Sequence, residues 1–182
     1  MAEHPLVAEA HAIARRALRP PLSIERGALL LYAVTVNNAL QVTVDPKKPV
    51  RGQSAFETDL CVFEQKTDTL RIPRMVLEFK HRITTHDIIT YSAKARKHKQ
   101  VYPYLRYGIV MSGEVTIPGR LFLHNEALDF GLAVLGTGPD RFAETLGRII
   151  TREVAASRQL EEIAFLKPNA TAFYTDLTLE RS

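Results

Sequence analysis

The run Arg74-Met75-Val76-Leu77-Glu78-Phe79-Lys80 constrains this chain more than any other stretch, because it is an apolar strand ending in a carboxylate and an ammonium two residues apart. Side chains at i and i+2 of a strand share a face, so Glu78 and Lys80 point one way while Leu77 and Phe79 point the other. A second apolar run, Phe56-Glu57-Thr58-Asp59-Leu60-Cys61-Val62-Phe63, lies upstream, with the turn-like Lys66-Thr67-Asp68-Thr69 between the two. A hairpin centred near Asp68 and Thr69 sets Asp59 opposite Glu78. Opposed carboxylates repel. Either a cation sits between them or one of them binds a proton, and a divalent metal beside Lys80 meets that need. Pro73 is a place for a bulge in the pairing.

Around this hairpin, about 55–64 and 70–80, the rest of the chain reads as follows. Leu6 to Leu18 predicts a short helix stopped by Pro20-Pro21, with Arg15, Arg16 and Arg19 where cations suit its dipole. Ser23 offers an N-cap for a second, largely buried helix from about Ile24 to Leu40, with Glu25 at its start. Residues 45–54 form a basic loop carrying Lys47, Lys48 and Arg51, with Lys66 near the same end. In the hairpin, Thr58, Leu60 and Val62 make the core face, and Glu57, Asp59 and Cys61 a partly polar one. Thr84-Thr85-His86-Asp87 has the form of a capping box and opens a helix to about Tyr102. Ile88, Tyr91, Ser92 and Ala95 fall at inward spacing, while Lys94, Arg96, Lys97, His98 and Lys99 make a basic cluster. Tyr107 to Met111 is a short strand that crosses over to run parallel to part of the sheet. A short strand at Leu121–Leu123, another at Leu132–Leu135 and a long amphipathic helix from about Asp140 to Leu166 follow; residues 167–182 give no clear pattern.

The length of 182 residues and a hydrophobic content of 46% suit one well-buried domain. A net charge of +4 favours a polyanionic partner only mildly. The single Cys61 excludes an internal disulfide and a Cys-based zinc site, reads most simply as a small core residue, and points to a reducing compartment. Met1 to Pro5 lack the form of a signal peptide and no run approaches ~18 apolar residues, so a soluble, cytoplasmic protein away from membranes is expected. No Gly-rich phosphate loop is present, which argues against ATP coupling. The six histidines show no metal-ligand spacing, and His86 reads as part of the capping turn.

Asp59, 18 intervening residues and then Glu78-Phe79-Lys80 together resemble the signature of the PD-(D/E)XK nuclease superfamily, the fold of many restriction endonucleases. The resemblance covers about residues 24–112, with a C-terminal strand and helix over about 118–166. It implies an α/β fold with a restriction-endonuclease-like core, a mixed central β-sheet flanked by helices. It also implies Mg²⁺, with Mn²⁺ as a substitute, bound by Asp59 and Glu78, and Lys80 orienting or polarising the attacking water. Thr58 stands where the family has Pro. A Gln-x-x-x-Tyr, which the RecB-like branch carries on the following helix, matches Gln100 and Tyr104, although Pro103 cannot sit inside a regular helix. Glu25 and Glu57 are further accessory candidates.

Glu-x-Lys arises by chance roughly once in a chain of this size, and Glu64-Gln65-Lys66 is an instance at a polar turn where solvation is expected. The expected function is Mg²⁺-dependent DNA phosphodiester hydrolysis, an endonuclease of the restriction type, acting as a homodimer because double-strand cutting needs two sites. Lys47, Lys48, Arg51, Lys94, Arg96, Lys97 and Lys99 would contact phosphates, making affinity salt-dependent. The alternatives are a non-catalytic DNA-binding module, or a nuclease-like subunit of a larger DNA defence or repair assembly, and an unrelated α/β protein in which Glu78 and Lys80 form only a structural pair.

Overall fold

In the computed structural model, which describes residues 5–166, 171–172 and 177–180, the chain runs α1 (Pro5–Ala17), β1 (Leu22–Arg26), β2 (Leu29–Leu31), β3 (Ala55–Glu57), β4 (Leu60–Thr67), β5 (Leu70–Lys80), α2 (Thr85–Val101), β6 (Arg106–Met111), α3 (Gly119–His124), β7 (Phe130–Ala133) and α4 (Pro139–Phe165). Five strands form one mixed sheet in the order β1-β4-β5-β6-β7, and β2 pairs with β3 in a separate ribbon. β1, β4 and β5 are antiparallel; β6 and β7 continue the sheet in parallel with β5. Joining β5 to a parallel β6 requires a crossover, and α2 is that crossover.

The hairpin has the expected register where it matters. Leu60 pairs with Leu77 and Cys61 with Val76, which places Asp59 next in line beside Glu78. The register slips by one between Val62 and Phe63, where the partner strand carries Pro73. Proline has no N–H to give the ladder, so the bulge forms there and leaves the Asp59 end undisturbed.

The sheet is covered on both sides. Leu60, Val62, Met75, Leu77 and Phe79 pack with Val7, Ala10 and Ala14 of α1 and with Phe142, Leu146, Ile150 and Val154 of α4. Cys61, Phe63, Val76, Tyr107, Ile109 and Met111 pack with Ile88 and Ala95 of α2 and with Leu121 of α3. The hairpin face expected to be partly polar carries Asp59 and Glu78 at one end and, over Cys61, Phe63 and Val76, a second core, because α2 must lie back on the sheet to bring the chain to β6. On the side covered by α1 and α4, Gly108 makes room for Phe130: a Cβ there would fall 2.2 Å from the ring of Phe130, its partner across the β6–β7 ladder.

Four expected elements differ. The first hairpin strand, expected over 55–64, is split: Ala55–Glu57 is β3 in the separate ribbon with β2, and the strand that pairs with β5 is β4, Leu60–Thr67. The buried helix over 24–40 is instead β1, β2 and the start of a long excursion. Gly27, at φ +64°, turns the chain between the two strands, and Ser23 is a ladder residue opposite Phe63 rather than an N-cap. An apolar run this short carries no decisive period, and β4 needs a hydrogen-bonding neighbour on its outer side. Only Ala28, Leu30 and Leu31 of its apolar residues are fully buried, whereas Val34 and Val36 are exposed. Leu121–Leu123 is part of helix α3, entered through Pro118 and held by Leu121 against the α2 side of the core. The strand at 132–135 begins two residues earlier, since Phe130 is the residue that meets Gly108.

The first and last long helices and the α2 cap match the expectation. Thr84 Oγ1 accepts the Asp87 N–H and the Asp87 carboxylate accepts the Thr84 N–H, a complete capping box. Lys66 lies apart from the basic loop, with the length of β4 between them, and its ammonium meets Glu161 at 3.1 Å. Glu64, expected to be solvated, is buried, because Arg74 and Arg158 converge on its carboxylate. Of the residues expected to show no pattern, 167–170, 173–176 and 181–182 lie outside the described residues.

Candidate active site

The parallel step from β5 to β6 and the end of the β4 ladder together create the site. Beyond Leu60 the ladder stops, and the Asp59 side chain takes over. Its Oδ2 accepts the Phe79 N–H at 2.7 Å, so the carboxylate is fixed to the backbone of the strand that carries Glu78. Thr58 anchors the same corner from below: its N–H and its Oγ1 both donate to the Ala28 carbonyl, at 2.9 and 3.0 Å. A proline there would forfeit both bonds, which gives Thr58 a local reason for standing in that position.

Glu78 points to the α2 side of the sheet and is 3% exposed. Two donors meet its Oε1: the Lys94 ammonium at 2.6 Å and the Tyr107 hydroxyl in a very short hydrogen bond. Burial pushes the Glu78 carboxyl up from its ordinary value; the Lys94 charge opposes this, and the nearby Asp59 charge adds to it. Tyr107 is raised well above its usual range by burial and by Glu78. Tyr91, one turn before Lys94 on α2, is pushed up to about 12 by burial and by the charges of Glu78, Asp59 and Asp87.

Lys80, the other member of the Glu-x-Lys pair, turns to Asp87 at 3.0 Å and is 40% exposed. Thr84 hydrogen bonds, joined by the Lys80 charge, hold the Asp87 carboxyl down at about 2. A cation from within the chain, Lys94, meets Glu78, one of the two opposed carboxylates, and it comes from a helix whose basic residues are expected to contact phosphate. Six consecutive residues at 3.6 per turn circle a helix and cannot share one face. Lys94 and His98 face inward. Lys99 is pinned to the Ala127 carbonyl and to Asp129, each at 2.7 Å. Arg96 pairs with Glu126 on the surface, and Lys97 is exposed.

The accessory candidates stand at different distances from this centre. Glu57 reaches it through its backbone: its carbonyl accepts from Lys94 at 2.9 Å while its carboxylate pairs with Arg51 at 2.6 Å. Glu25 is opposite Cys61 on the edge strand and pairs with Arg71 at 2.7 Å. Gln100 is exposed on the last turn of α2. Tyr104 lies past the helix end, which falls at Tyr102 before Pro103, and packs beside Arg74 and Phe165 at the far end of β5. Lys47 and Lys48 are exposed on the loop leading into β3.

Sequence reading passed over Tyr107 and the inward role of Lys94. A signal for the second was present: Asp87, Tyr91, Lys94 and His98 recur at i, i+4, i+7 and i+11, a polar stripe where a core-facing helix should be apolar. Tyr107 gave no such sign, because only the β5–β6 register brings it beside Glu78.

Among the described residues no group of three or more His, Cys, Asp or Glu side chains is placed to hold a metal ion. Asp59 and Glu78 remain as a carboxylate pair, and Mg²⁺ is commonly held by one or two carboxylates with water and substrate phosphate filling its other positions. The hydrogen bonds to this pair fall on Asp59 Oδ2 and Glu78 Oε1, so among the described residues Asp59 Oδ1 and Glu78 Oε2 take none. The donor set therefore fits Mg²⁺. No protein-family model matches this chain, and no curated protein matches its sequence.

Proposed function

We propose that this chain is a Mg²⁺-dependent phosphodiesterase acting on DNA, an endonuclease of the restriction type with a PD-(D/E)XK-like site, cytoplasmic and active as a homodimer. The observation that carries this reading is the placement of two carboxylates opposite each other on neighbouring strands, with Lys94 against Glu78 and Lys80 two residues further along the same strand. Asp59 and Glu78 would hold the metal. Bound there, Mg²⁺ supplies an acidified water and charge neutralisation at the scissile phosphate. Lys80 is exposed enough to reach a substrate, and its ammonium offsets negative charge that develops on the phosphate. Asp87 keeps that ammonium in place, and the Lys94 charge opposes the upward shift of the Glu78 carboxyl.

The test is cleavage of supercoiled plasmid, linear duplex, single-stranded DNA and RNA with Mg²⁺, Mn²⁺ or EDTA, comparing wild type with Asp59→Ala and Lys80→Ala. Metal-dependent cutting of DNA that falls by about 10²–10³-fold in both variants supports the reading. Variants that cut as well as wild type would sink it.

One observation favours a second reading. Glu78 Oε1 already has two donors within the fold, which is how a carboxylate retained for structure alone would also be satisfied. A non-catalytic DNA-binding module, or a nuclease-like subunit of a larger DNA defence or repair assembly, follows if purified protein binds DNA in EDTA and cuts nothing with either metal.

A further inference from the structure

Lys94 borders the carboxylate pair on one side and an open pocket on the other. The pocket, about 330 Å³, is walled by Tyr32, Arg51, Gly52, Phe56, Glu57 and Lys94, and so reaches the lower end of the ~300–1,000 Å³ usual for small-ligand sites. Its apolar wall is a pair of stacked rings: Tyr32 and Phe56 lie 4.0 Å apart at 21° between planes. Phe56 belongs to the short β3 strand yet is 39% exposed.

That wall is held rigidly from behind. The Tyr32 N–H donates to the Ser54 carbonyl at 2.8 Å and its hydroxyl donates to the Gln53 carbonyl at 3.3 Å. Phe56 pairs with Leu30 in the ribbon, and the buried His98 ring meets it edge-on at 5.9 Å, fixed in turn through its Nδ1 at the Leu31 carbonyl. The wall beside the rings is cationic. The Lys94 ammonium has three N–H groups; two go to Glu78 and the Glu57 carbonyl, and the ammonium lies 5.9 Å from the centre of the Phe56 ring. Arg51 is tied to Glu57 by a surface ion pair, an interaction worth only ~0–1 kcal/mol and easily exchanged for a phosphate.

An exposed aromatic face beside two cations, sharing one ammonium with a phosphodiesterase site, matches the chemistry of a nucleotide: a π-face for the base and positive charge for its phosphate. Bases in a closed duplex have both faces covered by their neighbours, and an enzyme that needs one must take it out of the stack. We infer that the Tyr32–Phe56 pocket is a subsite for an unpaired DNA base next to the scissile phosphate, which makes single-stranded or frayed DNA the substrate. This rests on the phosphodiesterase reading of Asp59 and Glu78 and replaces its double-strand substrate, and with it the need for two sites in a homodimer, by single-stranded DNA.

The test separates the two. Fluorescence anisotropy in EDTA measures affinity for a labelled oligothymidylate and for a blunt hairpin duplex of similar charge, over a range of salt, for wild type, Phe56→Leu and Tyr32→Leu, with thermal melts recorded for each. Wild type should prefer the single strand. Both variants should lose single-strand affinity on the order of tenfold, as expected for a lost stacking contact, with an unchanged slope of log K against log salt because no phosphate contact is removed. Equal affinity for the two DNAs in wild type, or unaltered single-strand binding by a folded Phe56→Leu protein, overturns the subsite. Cleavage with Mg²⁺ is run in parallel. Absence of cutting on every substrate refutes the phosphodiesterase reading, while the metal-free binding still decides the subsite.

Discussion

At the scale of the residue, Glu78 concentrates the conflict in this molecule. A carboxylate shut away from water is costly to ionise, and a second carboxylate beside it adds to the cost. Because burial raises its pKa in the fold above the unfolded value, protonation favours the folded state. The stability contributed by this group is complete below the ordinary glutamate range and is lost as pH rises through the raised value. Metal binding needs the opposite state, the carboxylate, and Lys94 is the charge that opposes the upward shift. Replacing Lys94 by Met should therefore move the rising limb of the cleavage–pH profile to higher pH and lower the neutral-pH rate by about 10- to 100-fold, in the range found for groups that support a metal ligand. Lys94→Arg should restore most of the position of that limb. A limb that stays in place in Lys94→Met would show that another group sets the ionisation of Glu78.

At the scale of the element, α2 does three jobs from one face. Its first turn caps the helix and holds Lys80 through Asp87, its middle supplies Tyr91 and Lys94, and its last turns place His98 behind the aromatic pocket. Thr84→Ala removes the cap and should cost about 1 kcal/mol in urea unfolding. Asp87 gives this helix end a pH signature. With its folded pKa depressed to about 2, it contributes stability that is present above the unfolded value of 3.8 and is lost as pH falls through about 2. Asp87→Asn should be less stable than wild type at neutral pH, and the difference should shrink across that acidic window. Parallel urea midpoints for the two proteins would show it; a constant difference would mean that the ionised carboxylate contributes nothing.

At the scale of the whole molecule, two helical layers clamp the sheet, and α4 is attached by more than its apolar stripe. Arg74 is fully buried and reaches Glu64 on β4 as well as Glu161 and Ser157 on α4. Arg158 reaches back to Glu64, so the helix and the hairpin share one ion network. Breaking a buried pair by removing one partner leaves uncompensated charge and typically costs ~3–5 kcal/mol. Arg74→Met should fall at the low end of that range, since Arg158 and Lys66 still face the two carboxylates. The measurement is equilibrium denaturation; a change under about 0.5 kcal/mol would mean that Arg74 adds nothing to the attachment of α4 beyond its apolar face and its other ion pairs.

Local chemistry was enough to place the hairpin, its turn at Asp68 and Thr69, the bulge opposite Pro73, the capping box at Thr84 and the alignment of Asp59 with Glu78. Each depends on neighbours in the chain or on the two-residue period of paired strands, and both are written directly in the order of residues. The stretch 24–40 suits a helix by its apolar residues and begins as strands β1 and β2 in the fold, because such residues suit either element equally and the open edge of β4 decides between them. The partners of Glu78 were settled only by tertiary structure. Lys94 arrives from a helix that the crossover lays on the sheet, and Tyr107 from a strand whose register is set by parallel pairing. Which cation neutralises a buried carboxylate depends on what the fold brings within a few ångströms, and sequence spacing carries no measure of that distance.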